Sequence, residues 1–310
     1  MSDRKASIAG VLMVVASAIG FSGKAIIIKL AYRHGVDAVT LLTLRMVFSA
    51  PLFLLLAWWA TRGPDVRPLA GADLRAIAFL GFLGYYLSSY LDFIGLQYIT
   101  AALERLILFL NPTIVLLLSA AFLKRRITRR DMLAIALCYA GIALVFGHDF
   151  STMGSNVALG SFWVLLSAIT YAIYLIGSGR LVGHVGSIRF ACYAGLVSCA
   201  AVIVQYLVVR DMSVILSQPV EVYGLTLLMA GVSTVLPIVL MSEGIRRIGA
   251  SHASIIGSVG PIATIFLGAI FLSEAITAFQ LAGAGLVMAG VLAISLQKKP
   301  AVVDKPEAGK

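Results

Sequence analysis

The chain has 310 residues, 60% of them hydrophobic and only 12% charged, with a mean hydropathy of +1.00 and a formal net charge of +10. A soluble domain is about 45–50% apolar and about 25% charged, so a water-soluble enzyme, a disordered chain and a small disulfide scaffold are excluded. The composition is that of a polytopic membrane protein.

A helix needs about 20 apolar residues to cross a bilayer. In chain order such runs fall at residues 8–30, 38–60, 73–97, 101–123, 131–147, 157–178, 187–209, 221–245, 250–272 and 278–296. They are far longer than barrel strands and lack strict alternation, so an all-α bundle of ten transmembrane helices is expected. The first run follows Arg4 and Lys5 and contains Ala16-Ser17-Ala18, a pattern shared with secretory leaders. It stays apolar past Lys24 to Leu30 and reads as an uncleaved first span. Residues 297–310, with their Lys, Pro, Glu and Gly, read as a flexible tail.

Placing the N-terminus in the cytoplasm puts eighteen of the 24 Lys and Arg residues in inside segments, and only Lys29, Arg33 and Arg210 in outside ones. By the positive-inside rule both termini are expected in the cytoplasm. The net charge then reflects topology and affinity for anionic membrane lipids. The basic stretch at residues 124–130 is a loop between spans, and no nucleic-acid partner is expected.

Sliding the chain by 149 residues lays residues 95–145 on 244–294 without a gap. Gly95/Gly244, Pro112/Pro261, Phe122/Phe271, Thr128/Thr277 and Gly141/Gly290 are identities. A slide of 150 matches the first span to the sixth, through Gly10/Gly160 and Ser17-Ala18-Ile19/Ser167-Ala168-Ile169. The expected division is one five-span repeat over residues 1–147 and a second over 148–296. Five is odd, so the second copy enters the membrane upside down. That is the inverted-repeat plan of secondary transporters, with substrate near the midplane between the halves.

The stretch Tyr85-Tyr86-Leu87-Ser88-Ser89-Tyr90-Leu91-Asp92-Phe93-Ile94-Gly95, running on to Asn111-Pro112, resembles the third-span signature of a bacterial EamA subgroup of the drug/metabolite transporter superfamily. Leu272-Ser273-Glu274-Ala275-Ile276-Thr277 resembles that family's Leu-Gly-Glu-x-Ile/Leu-Thr motif. The resemblance covers nearly the whole chain. It implies a ten-helix carrier of metabolites in the bacterial plasma (inner) membrane, often an exporter of amino acids or related compounds. Two departures stand out: the first-half counterpart reads Leu123-Lys124-Arg125-Arg126-Ile127-Thr128, without Glu, and Asn111 replaces an aromatic before Pro112.

Ionisable groups within a span cost at least about 2.5–3.5 kcal/mol each and ask for an explanation. The first half carries Lys24, Arg45, Asp92, Glu104 and Arg105. At about 1.5 Å per residue all five fall about 5–10 Å below the outer ends of their spans, in one layer. Three readings are open: an ion-pair cluster holding the first four helices in register, an outer gate or the place where a substrate carboxylate meets surplus positive charge, or a proton-coupling role for Asp92 or Glu104. Nearer the midplane Tyr85, Tyr86, Ser88, Ser89 and Asn111 offer hydrogen bonds from the first half, and Tyr171, Tyr174, Ser233, Thr234, His252 and Ser254 from the second. Such side chains are also ordinary interhelical contacts. Pro112, Pro237 and Pro261 each remove a backbone donor within a span and are expected to kink it.

Cys138, Cys192 and Cys199 show no paired spacing, and the histidines are scattered, so no metal site is expected. Gly177-Ser178-Gly179 ends a span and is no phosphate cradle, so no nucleotide cofactor is expected. These features point to a secondary transporter of a small metabolite, an amino acid or related carboxylate, working by alternating access as an exporter. The alternative from another class is an integral-membrane enzyme acting on a lipid or lipid-linked substrate, which would need a catalytic cluster near a membrane face.

Overall fold

The computed structural model describes residues 2–62, 68–124 and 127–296. The expected tail at 297–310, and Arg125 and Arg126 of the first-half motif, lie outside the described residues. Ten helices are long and apolar enough to cross a membrane: α1 Ile8–Tyr32, α2 Ala38–Ala60, α3 Gly71–Gly95, α4 Ala101–Leu123, α5 Arg129–Met153, α6 Asn156–Gly179, α7 Ser187–Val209, α8 Val220–Ile248, α9 Ile255–Leu272 and α10 Ala278–Ser295. The fold is all-α, and no strand occurs among the described residues.

The helix ends follow local chemistry. Asp37 caps α2, its carboxylate accepting from the backbone N–H of Val39 and Thr40 at 3.0 and 3.2 Å. Thr128 caps α5 in a reciprocal box with Asp131, and Thr277 caps α10 in one with Gln280. The fifth helix runs past its expected end at 147 to Met153. Ser151 and Thr152 bond back to the His148 carbonyl, so polar residues continue the coil until Gly154 ends it at φ +83.

Several spans are interrupted. A π-helical turn at Phe82–Leu87 divides α3, and another at Gly231–Val235 divides α8. Residues 109–110 split α4 into two short helices, and residues 258–259 separate Ala250–Gly257 from Gly260–Leu267 in the ninth span. Each pair of interruptions is separated by 149 residues. Pro112 and Pro261 stand at the first turn of the segment after a two-residue break, where a missing backbone donor costs little. Pro237 follows the π-turn with helical backbone on both sides, so it sits inside a continuous span.

Contacts between the halves come in matched sets. A Cβ on Gly95 would stand 2.8 Å from the Gly160 carbonyl oxygen, and one on Gly244 would stand 3.2 Å from that of Gly10. The absence of side chains lets α3 press on α6 and α8 press on α1. Ser167 donates to the Ser88 carbonyl at 2.7 Å, and its repeat mate Ser17 donates to the Pro237 carbonyl at 2.7 Å. A Cβ on Gly141 would lie 2.6 Å from the Gly283 carbonyl, and one on Gly290 2.6 Å from that of Ala134. The first half therefore packs on the second through pairs of equivalent residues with roles exchanged.

Large apolar side chains such as Leu55, Trp59, Phe79, Val208 and Ile270 face outward and exposed. In a bilayer that surface meets lipid tails.

Candidate functional site

A cavity of about 420 Å³ lies where α1, α2, α3, α4, α6, α8 and α10 converge, so both halves line it. Lys24, Arg45, Asp92 and Arg105 contribute charge, and Tyr85, Ser88, Ser89, Asn111, Ser167, Tyr171, Ser233 and Thr234 contribute hydroxyl and amide groups. Phe21, Phe109 and Ile238 supply apolar wall.

The charged layer is knit around one ammonium. Lys24 Nζ lies 2.6 Å from Asp92 Oδ2 and 3.3 Å from Glu104 Oε1. Both carboxylates are buried, at 2% and 1% exposure, and the lysine side chain at 18%. Glu104 stands just behind the cavity wall and reaches the site through Lys24. Arg45, 5% exposed, places its guanidinium 5.3 Å from the Phe93 ring centroid and donates a long 3.5 Å hydrogen bond to Ser89 Oγ. Arg105 fills space left by Gly260, where a Cβ would stand 2.8 Å from Nη2. All five charges belong to the first half; the positions equivalent to Lys24, Asp92 and Glu104 are Tyr174, Met241 and Ala253.

Six buried polar atoms here have no hydrogen-bond partner among the described residues: Arg45 Nε, Arg105 Nε, Asp92 Oδ1, Glu104 Oε1 and Oε2, and Asn111 Oδ1. Ser233 Oγ adds a seventh. Leaving such a group unpaired costs about 1–3 kcal/mol, and these groups gather around one cavity. With three cations against two carboxylates, the site carries a surplus positive charge whenever all five are ionised.

The tyrosine pair divides. Tyr85 lines the cavity with its ring edge-on to Tyr174 at 5.4 Å. Tyr86 stacks with Tyr90 at 6.3 Å and leans on Phe82 at 4.8 Å, away from the cavity lining. Tyr174 is buried over Gly84, where a Cβ would meet its ring, and supports Tyr85 from behind. His252 is exposed and pairs with the Ile248 carbonyl; the side chain of Ser254 lies outside the described set. Asn111 donates from Nδ2 to the Leu108 carbonyl at 2.6 Å, satisfying an acceptor freed by the break in α4. The prolines differ in place: Pro112 lines the cavity, Pro237 lines a neighbouring apolar groove between α1 and α8, and Pro261 is buried at the start of Gly260–Leu267. Sequence reasoning passed over Phe21, Gly84 and Phe109. Apolar residues in an apolar span give no local signal of which face meets a cavity.

A bundle of ten apolar helices enclosing a polar, charged cavity defines a multi-pass membrane protein of the transporter class. The model of the EamA-like transporter family matches residues 8–147 and again 158–296, and the chain belongs to that family. It is 33% identical over 294 residues to the uncharacterized transporter YcbK of Bacillus subtilis, covering 94% of both chains. It is 27% identical to the uncharacterized transporter YyaM of the same organism, over 70% of this chain and 71% of that one. It is 24% identical to the uncharacterized transporter sll1319 of Synechocystis, over 93% and 94%. A solved protein crystal structure shares the fold, with a TM-score of 0.62 and 15% identity over 92% of this chain and 95% of that one.

Proposed function

We propose that this protein is a secondary transporter that exports a small metabolite bearing a carboxylate, such as an amino acid, from the bacterial cytoplasm. The observation that carries the reading is the cavity between the halves, where Lys24 is held by two carboxylates while Arg45 and Arg105 keep unpartnered nitrogens. A substrate carboxylate accepts from those guanidinium groups. Tyr85, Ser89, Asn111 and Thr234 offer hydrogen bonds to its polar remainder.

Alternating access follows from the repeat. The exchanged glycine contacts and the paired Ser17 and Ser167 hydrogen bonds support two halves, 1–147 and 148–296, related by a pseudo-two-fold axis in the membrane plane. Such halves exchange conformations at similar energy and expose the midplane to each side in turn. The Lys and Arg distribution supports cytoplasmic termini in an inner membrane, and the driving force is the substrate gradient or protons carried by Asp92 or Glu104.

The test is metabolite analysis of medium around cells overproducing wild type, Arg45→Ala or Glu104→Gln, with membrane insertion checked for each. The expected result is one carboxylated compound enriched by wild type and not by Arg45→Ala. Equal enrichment by wild type and both variants removes the charged layer from substrate recognition, and no enrichment by wild type removes the export reading.

A further inference from the structure

One turn beyond the charged cavity, toward the face opposite the termini, a second set of polar contacts ties the two halves together. Lys29 Nζ lies 3.4 Å from Glu274 Oε1 and donates to the Ile99 carbonyl at 2.6 Å. The same Glu274 oxygen accepts from the backbone N–H of Ala101, at 3.2 Å, where α4 begins. Arg33 Nη2 donates to the Leu272 carbonyl at 2.6 Å. Glu274 reaches this position because Ser273 adopts a left-handed conformation, φ +59, which turns the chain sharply after α9. Both partners of the ion pair are largely buried, at 22% and 16% exposure.

The opposite side of the molecule is built differently. The repeat mates of Lys29 and Arg33 are Gly179 and Gly183, and the mate of Glu274 is Arg125. A Cβ on Gly179 or Gly183 would meet nothing within 4 Å, and Leu123, the mate of Leu272, is exposed. The termini-bearing side has no lysine or carboxylate at the equivalent positions, so it cannot form the same tie. The two sides thus carry different chemistry at equivalent positions.

We propose that Lys29, Arg33 and Glu274 are the latch that holds the face opposite the termini shut, biasing the transporter toward the conformation open to the other side. The inference rests on the alternating-access reading above and deepens it by naming the residues that set the conformational balance. Opening this face separates Glu274 from Lys29 and from the first turn of α4 in one movement, because the same oxygen serves both.

The test places spin labels on the full chain in lipid nanodiscs, with the buried native cysteines replaced by alanine. One pair sits across the latched face at His34→Cys and Ala275→Cys, and a second across the termini-bearing face at Leu123→Cys and Gly183→Cys. Wild type should give mostly short distances for the first pair. Glu274→Gln keeps an acceptor for Ala101 but loses the charge, and Lys29→Gln loses the cation; each should raise the long-distance population about fivefold, while Lys29→Arg should match wild type. Unchanged first-pair distances in variants that melt like wild type would overturn the latch, as would equal lengthening in Lys29→Arg. If the first pair lengthens and the second fails to shorten, the latch stands and alternating access falls.

Discussion

Lys24 holds the charged layer together through two contacts of unequal length, and this inequality ranks the variants. Lys24→Met strands two buried carboxylates; removing one partner of a buried ion pair costs about 3–5 kcal/mol. Tm in detergent should therefore fall markedly, and Asp92→Asn in the same chain should recover part of the loss. Asp92→Asn alone keeps the shape and leaves Lys24 with Glu104. It should lower Tm less than Lys24→Met, because one contact survives, and slow transport about tenfold, the equivalent of one charge-assisted contact. Outside the spans, Asp37 gives a pH signature. Burial raises its pKa, but hydrogen bonds from Thr40 and Val39 and the nearby Arg210 outweigh burial and hold the carboxyl below its ordinary value. Its contribution to stability is present above about pH 4 and is lost as the pH falls through the lowered folded value. Asp37→Ala should cost about 1 kcal/mol at neutral pH, and its melting curve should converge with that of wild type in acid. The layer itself was legible in the sequence because charge is rare in apolar spans. That Tyr85 and Tyr86 need not share a face was legible too, since adjacent residues point about 100° apart; which of them meets the cavity was not, because the π-turn over residues 82–87 shifts the rotation that counting would assign.

At the scale of the helix, length and hydropathy located all ten spans, but the breaks inside them needed coordinates. Pro112 and Pro261 were readable as repeat mates, whereas their position at the first turn of a new segment depends on two residues that leave the helix just before. Asn111, which departs from the aromatic expected there, has a local purpose: it closes the carbonyl of Leu108 across the gap. Asn111→Leu should strand that carbonyl and cost about 1–3 kcal/mol, whereas Pro112→Ala should melt close to wild type, since an N–H at that position is not required. A calorimetric comparison of the two in one detergent checks the order. The glycine contacts make the opposite kind of demand. Gly95→Val forces a branched side chain against Val164 and the Gly160 backbone and should destabilise by about 1–3 kcal/mol or prevent folding.

Across the whole molecule, an even number of spans places both termini on one side of the membrane, and the exchanged contacts tie each half to the other. Orientation is then a single choice between two, for which the positive-inside rule expects the Lys- and Arg-rich side in the cytoplasm. The loops carrying Arg62, Arg75, Lys124, Arg129, Arg130, Arg246 and Arg247 share a side with the N-terminus, and the opposite face is where Lys29, Arg33 and Glu274 meet. With cytoplasmic termini, a fluorescent protein fused after Lys310 should fluoresce and an alkaline phosphatase fused there should be inactive. A phosphatase fused after Arg210, in the segment between α7 and α8, should be active. The reverse pattern would turn the latch toward the cytoplasm. The same contacts would then hold the transporter open to the outside, the bias expected of an importer.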